Sequence, residues 1–379
     1  MRSRFPTTRL PLARCLALLL LITANSIHEV SIAYARAHDG PARADDAVSI
    51  SVLGLFHPQK VVVTAPAGHA LIVRAGEQSV ILENSGIPSA TVRIDGSELI
   101  VSAESRELHS AKVVVAGRGN ESADFILEIP NKIQRQYQGT LEIRPAAGNL
   151  ISVVTLDLET AVASVVAAES ASDTPLEALK AQSVAARSYF VAGRDRHRDF
   201  DFCDTTHCQF LRAAPPATSR VAVAVEATRG LVLAYQSMPF AAMYTRSCSG
   251  QTRTPAQVGL PAAAYPYFSV GCDHCRHHPT RWTSYIPAHQ AELLHASDET
   301  ARLAVARHIG WSAVPSNDFS FAKDGDRVLL RGVGNGHGIG LCQAGARAMA
   351  ESGGGFREIL LHYYPNTDIV RHSGANRPE

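Results

Sequence analysis

Residues 156–193 read "LDLETAVASVVAAESASDTPLEALKAQSVAARSYFVAG", and their change of periodicity decides the fold. Leu158, Val162, Val165, Val166 and Glu169 recur at helical steps, which puts all five on one face and ends an apolar stripe on a carboxylate. The stretch that follows carries a helix start: Thr174 as cap, Pro175 in the first turn, and Glu177 three residues after the threonine to complete a capping box. Its alanines allow close packing against a neighbour, and Gly193 is the expected stop.

Upstream, from about residue 48 to 155, the period is that of strands. Short runs such as "KVVVTAP", "HALIVRAG", "AKVVVAG" and "GTLEIRP" are punctuated by Gly, Pro, Asn and Asp at intervals of roughly eight to twelve residues, the spacing of an all-β unit. Downstream lie a cysteine-rich loop, the β-like runs "TRGLVLAYQ" and "MPFAAMYTRSC", a second cysteine cluster, a helical stretch over about 288–309, and a glycine-rich turn entering another helix. The pattern predicts an α+β protein: a β-rich N-terminal region over 38–134, a mixed α/β domain over 135–370, and a C-terminal tail over 371–379.

The first 37 residues read as an export signal. Four arginines precede an apolar run from Cys15 to Ile22, and the small-residue pattern "AYARA" follows. That run is short of the roughly 20 residues a span requires, so a retained anchor is the lesser alternative and the only expected link to a membrane. The expected location is the periplasm or cell envelope. The 379-residue chain balances 36 basic against 35 acidic residues, with five lysines and no basic block, which argues against nucleic acid as partner.

Six of the seven cysteines lie beyond the signal, and in an oxidising compartment they are expected to pair or to bind metal. "CDTTHCQ" at 203–209 offers Cys203, His207 and Cys208, with His197 six residues earlier. Two thiolates and two imidazoles suit tetrahedral zinc, and four protein ligands would make the site closed and structural rather than hydrolytic. A Cys203–Cys208 disulfide is the competing reading, and a catalytic thiol a third. In "GCDHCRHH", Cys272 and Cys275 favour a structural disulfide over a second zinc, and no thioredoxin-like context supports redox catalysis. Cys248 and Cys342 read as packed thiols. "GVGNGHGIGLCQAG" lacks the partners of a phosphate-binding turn. It reads as a tight turn bringing His337 to a cleft, as a substrate contact or a structural histidine.

Four blocks in order, "VVAAESASDTPLEALKAQSVAARSY", "CDTTHCQ", "ATRGLVLAYQSMPFAAMYTRSCSGQT" and "GNGHGIGLCQAGARAMA" with "ILLHYYPNT" behind it, make residues 135–370 resemble the SpoIID/LytB family of stage II sporulation protein D and amidase enhancers. The resemblance implies action on peptidoglycan glycan strands. Sporulation-type members resemble lytic transglycosylases that cut peptide-stripped strands into 1,6-anhydro-muramyl ends, whereas enhancer-type members stimulate a wall amidase without cutting. It also implies a zinc site at the "CDTTHC" region and places Glu169 at the position of the catalytic glutamate. The residues agree: a carboxyl on an apolar helix face is desolvated, which favours a protonated acid near neutrality. Lys180, Gln182, Arg187 and Tyr189 match polar positions of the family's second helix, and Tyr244 and Ser247 its "Y-x-x-S-C" block; hydrogen bonding to sugar groups or orienting the glutamate are the implied roles. Two departures stand out. Ser170 and Ala171 follow Glu169 where the family has Met-Pro, and Ser249 stands where it has glycine.

Overall fold

The computed structural model describes residues 47–372 apart from 195, 206 and 295–297. The expected export signal and all but the first two residues of the C-terminal tail lie outside the described residues. The protein is α+β, with 26% of residues helical and 37% in strands.

Among the described residues, eleven strands follow one another from Ala47–Val52 to Asn149–Asp157, and Phe202–Cys203 adds a twelfth to the same sheet, parallel to the first. The long strand Ile133–Ala146 holds this sheet together. Its first half, Ile133–Gly139, pairs antiparallel with Ala123–Ile129; its second half pairs with Asn149–Asp157 and with Val113–Ala116. The crossover falls at Gly139, whose φ is 143° and where a Cβ would stand 2.5 Å from the Thr155 carbonyl oxygen, so only glycine fits. Period-two alternation along the strand sends Tyr137, Leu141 and Ile143 into the core.

The strand Asn149–Asp157 runs straight into helix α1 (Leu158–Glu169). The Asp157 carboxylate accepts the Thr160 N–H at 3.0 Å, a cap worth about 1 kcal/mol. Leu158, Val162, Val165 and Val166 are buried against the sheet, as their spacing predicts. Helix α2 (Leu176–Ala192) starts differently from expectation: Pro175 itself occupies the cap position with ψ 147°, leaving Thr174 one residue too far back to cap anything. Glu177 instead takes the Lys180 ammonium at 2.6 Å and the Phe356 N–H at 2.9 Å. Gly193 ends the helix as expected.

Helix α2 is buried on almost every face because it is the wall between two cores. Leu179, Ala186, Tyr189 and Phe190 belong to the core shared with the large sheet, and Ala181, Val184 and Ala185 to a second core behind it. The edge-on contact of Phe190 and Phe202, with centroids 4.9 Å apart, ties the helix to the edge strand and contributes roughly 1 kcal/mol beyond area burial.

The remaining α-helices among the described residues are α3 (Arg220–Ala227), α4 (Asp273–His277), α5 (Ala288–Ala291), α6 (Glu299–Ile309), α7 (Gln343–Glu351) and α8 (Phe356–Tyr363). The helical stretch expected over 288–309 is thus two helices, the second capped anew by the Asp298 side chain on the Ala301 N–H. A three-stranded antiparallel sheet, Arg281–Pro287, Arg327–Val333 and Phe319–Asp324, packs with α6 around Ile286, Val305 and Leu330. No described helix is long and apolar enough to cross a bilayer.

Candidate active site

Where α1 stops, a cavity of about 560 Å³ opens. Glu169 is the last residue of α1, and Ser170 leaves the helix with φ −106° and ψ 145°. The Glu169 carboxyl lines the cavity together with Tyr189 of α2, Tyr244, Arg246, His337 and Gln343. Burial pushes its pKa up, and the positive charges of Arg246 and Arg212 only partly oppose this. Among the described residues it makes no hydrogen bond or ion pair. The other carboxylate on the cavity lining, Glu299, is engaged: it receives Arg302 at 2.6 and 2.8 Å and the Asn317 amide at 3.0 Å, and is 3% exposed.

One wall is the loop after the edge strand Phe202–Cys203. Two buried aspartates flank Cys203 and sew the loop to the first strand. Asp201 accepts both the Ser49 N–H and its hydroxyl at 2.8 Å; Asp204 accepts Arg135 at 2.8 Å and the Leu53 N–H at 3.3 Å, and burial pushes its pKa up to about 6. Thr205 then turns the chain, its hydroxyl taking the His207 N–H and its carbonyl the Cys208 N–H. The ligand atoms of His197, Cys203, His207 and Cys208 all come within 4.8 Å of one another. His197 Nε2 lies 3.4 Å from Cys208 Sγ, and His207 Nδ1 lies 3.4 Å from Cys208 Sγ and 3.8 Å from Cys203 Sγ. The edges of a zinc tetrahedron with two sulfurs and two nitrogens are about 3.3–3.8 Å, so the four residues fit such an ion. The two thiols are not joined. The hydrogen bond from the Cys208 thiol, followed by His207, pulls Cys203 well below the ordinary thiol range, and Cys208 rises correspondingly. Next in the chain, Gln209 Oε1 accepts the Tyr244 hydroxyl at 2.8 Å, linking the loop to the cavity wall.

The opposite wall is the glycine turn. Gly334, Gly336, Gly338 and Gly340 all have positive φ, and a Cβ at Gly340 would overlap the Met243 carbonyl oxygen. The turn presents His337 to the cavity. Its Nδ1 accepts the Ile339 N–H at 3.0 Å and burial holds its pKa down, so the neutral ring carries its proton on Nε2.

Other residues singled out from the sequence stand elsewhere. Arg187 is fully buried: it donates to both Glu159 oxygens at 2.9 and 2.6 Å and to the Leu231 and Val225 carbonyls, a saturated structural ion pair away from the cavity. Lys180 is held by Glu177 and does not line the cavity. Ser247 is buried in the bridge to Asn335, its hydroxyl without a partner among the described residues. Gln182 lines a smaller hollow of about 170 Å³ on the other side of Glu169 and leaves its amide nitrogen unpartnered there, while its oxygen takes Gln343 at 3.4 Å. Positive φ falls on Gly250 and not on Ser249, so the serine that stands where the family has glycine is unstrained. The sequence reading missed Arg246, Gln343 and Gln209. Each sits beside a residue it did single out: Arg246 between Tyr244 and Ser247, Gln343 after Cys342, and Gln209 after Cys208.

A half-buried, unpaired carboxyl at a helix end, beside a Cys₂His₂ loop in an α+β scaffold, is the class of site this chain presents. The stage II sporulation protein family, SpoIID, matches residues 146–235, which run from the end of the long strand through α1, α2 and the cysteine loop to the strand Leu231–Tyr235. The chain is 28% identical over 275 residues to an uncharacterised protein of Brachyspira hyodysenteriae, covering 64% of this chain and 74% of that one. It is 28% identical over 262 residues to stage II sporulation protein D of Bacillus amyloliquefaciens, 58% of this chain and 75% of the relative. A 64-residue segment is 39% identical to the amidase enhancer of Bacillus subtilis, 17% of this chain and 9% of that one. These matches support a relationship to the SpoIID/LytB family, carried by the segment from the end of the long strand to Tyr235.

Proposed function

We propose that the protein acts on bacterial cell-wall glycan as a lytic transglycosylase, after export to the cell envelope, with Glu169 as its single acid and base. The observation that carries this reading is that Glu169 is the one unengaged carboxyl among the described residues lining the cavity, Glu299 being locked to Arg302. A hydrolase of the usual retaining or inverting kind needs a second free carboxylate. A lytic transglycosylase does not. Protonated Glu169 gives its proton to the glycosidic oxygen as that bond breaks, and the 6-hydroxyl of the same muramyl sugar closes on its own anomeric carbon. The Glu169 carboxylate then takes up the hydroxyl proton and is ready for another turn. Arg246 and Gln343 on the wall, and the unpartnered Gln182 amide beyond it, offer donors for sugar hydroxyls and N-acetyl groups, and the Tyr244 hydroxyl oxygen, its proton given to Gln209, offers an acceptor.

Zinc held by His197, Cys203, His207 and Cys208 belongs to the same proposal. A closed four-ligand ion supplies no activated water and acts by fixing the loop. Through Gln209 that loop sets the Tyr244 hydroxyl.

The test is mass spectrometry of products from intact and peptide-stripped strands incubated with the protein and with its Glu169→Gln variant. Anhydro-muramyl ends from the unsubstituted protein alone are expected. Strand binding with no new ends from either protein would replace this reading with a noncatalytic amidase enhancer, which the shared segment with the Bacillus subtilis amidase enhancer favours.

A further inference from the structure

Behind the cavity the second core contains four cysteines that the sequence scatters over a long stretch of chain. Cys248 follows the strand Tyr244–Thr245, Cys272 precedes α4, Cys275 lies within it, and Cys342 ends the strand Leu341–Cys342 just before α7. None is more than 2% exposed, all four are unbonded, and their sulfurs lie within 4.8 Å of one another. The sequence favoured a Cys272–Cys275 disulfide over a second zinc and read the other two thiols as packed; Cys248 and Cys342 are packed in this core, while Cys272 and Cys275 stand beside them unjoined.

We propose that Cys248, Cys272, Cys275 and Cys342 form a second metal site, a mononuclear tetrathiolate zinc centre distinct from the mixed cysteine and histidine cluster on the cavity wall. Cys275 and Cys342 sulfurs stand 3.6 Å apart, well beyond the roughly 2.05 Å of a disulfide and close to the roughly 3.8 Å edge of a ZnS₄ tetrahedron. An iron–sulfur cubane, which caps a different iron with each cysteine, spreads its sulfurs further than this cluster allows. Four thiols with no oxygen or nitrogen ligand among them select a soft, tetrahedral cation. On binding, the four thiol protons pass to solvent and nothing is oxidised or reduced.

The surroundings suit the negative charge such a centre carries. The Cys248 N–H donates to Cys342 Sγ at 3.3 Å and the Tyr363 hydroxyl to Cys272 Sγ at 3.4 Å, while Cys342 itself stands at the positive end of α7. Residue 345 on α7 has to be glycine: a Cβ there would overlap the Tyr363 hydroxyl and come 2.6 Å from Cys272 Sγ. Two of the ligand-bearing segments are paired in parallel, Tyr244 with Leu341 and Thr245 with Cys342. The ion therefore clamps, from behind, the short ladder that carries Tyr244 and leads to Arg246 and Gln343.

The test is metal content and ligand type of the full-length protein from zinc-replete cells. Two zinc ions per chain are expected, falling to one in Cys342→Ser and to one in a Cys203→Ser/Cys208→Ser variant. X-ray absorption of the latter should show a shell of four sulfurs. Because either variant could fail to fold, cobalt exchanged into the unsubstituted protein supplies a second reading: a tetrathiolate ligand-field band alongside that of the mixed site. Disulfide-linked peptides among these four cysteines, absence of the tetrathiolate signature, or iron in place of zinc would each overturn the proposal.

Discussion

The cavity-wall cluster and the buried cluster place the same element of chemistry at opposite depths. His197, Cys203 and Cys208 are half-buried and His207 is exposed on a loop, whereas Cys248, Cys272, Cys275 and Cys342 are sealed in a core among Tyr265, Tyr363 and Tyr364. The first draws its ligands from twelve consecutive positions and is held in place from outside, by Asp201 and Asp204 gripping the first strand. The second draws on segments up to 94 residues apart and, with the proposed ion bound, would do the holding itself. The loop cluster lies where the chain turns beside the cavity, whereas the core cluster joins two two-residue strands and a five-residue helix within a larger apolar core.

The largest effect expected touches neither cluster. Glu169→Gln should lower production of anhydro-muramyl ends by a factor on the order of 10² to 10⁴, the usual contribution of a general acid, with zinc content unchanged. A variant that lost metal along with activity would tie the chemistry to the loop cluster and erase the distinction. Next comes Cys342→Ser, which should lower the melting temperature by roughly 10 °C or more, read by calorimetry, because a structural ion's binding energy is folding energy. His197→Ala should move the melting temperature by only about 3 °C while reducing cleavage on the order of tenfold through the loop, Gln209 and Tyr244. Equal thermal shifts in the two variants would remove the contrast between holding and being held.

The smallest effect is a pH slope that comes from Glu169 and should leave both clusters untouched. Burial raises the pKa of Glu169 in the folded chain above its unfolded value. The protonated form is thus favoured by folding: this contribution is complete below the unfolded pKa and is lost as pH rises through the folded one. Stability should decline slightly over that window in the unsubstituted protein and less in Glu169→Gln, and cleavage should fall as the acid form disappears. Thermal melts of both proteins across the acid-to-neutral range, paired with a pH–rate profile, measure the two trends together.

What the sequence made legible follows from how local the signal was. The apolar stripe of α1 and its terminal carboxylate, the alternating strands before it, the tight glycine turn and the histidine and cysteine loop are all written within a dozen or so residues. Arg187 misled because a polar residue on an alanine-rich helix looks the same whether it faces substrate or a buried partner; Glu159, 28 residues earlier, is visible as that partner only in the fold. The capping box failed for a local reason, the proline that moved the helix start by one residue. The four core cysteines could not be assembled from spacing at all, since only the 272–275 pair is close in sequence. Nothing there told Cys248 and Cys342 to join it.

The tie between the cavity loop and the first strand has a consequence for how the chain reaches its final form. Ser49 and Asp201 meet across 152 residues, so the contact that seats the metal-compatible loop is among the least local in the molecule. Closing so long a stretch is entropically unfavourable until the intervening strands have paired. Topology thus favours an order of events in which the strands pair first and the loop docks on the sheet edge afterwards. A chain emerging N-terminus first would have its first eleven strands available before the edge strand Phe202–Cys203 and the cavity walls of Tyr244, His337 and Gln343 have followed.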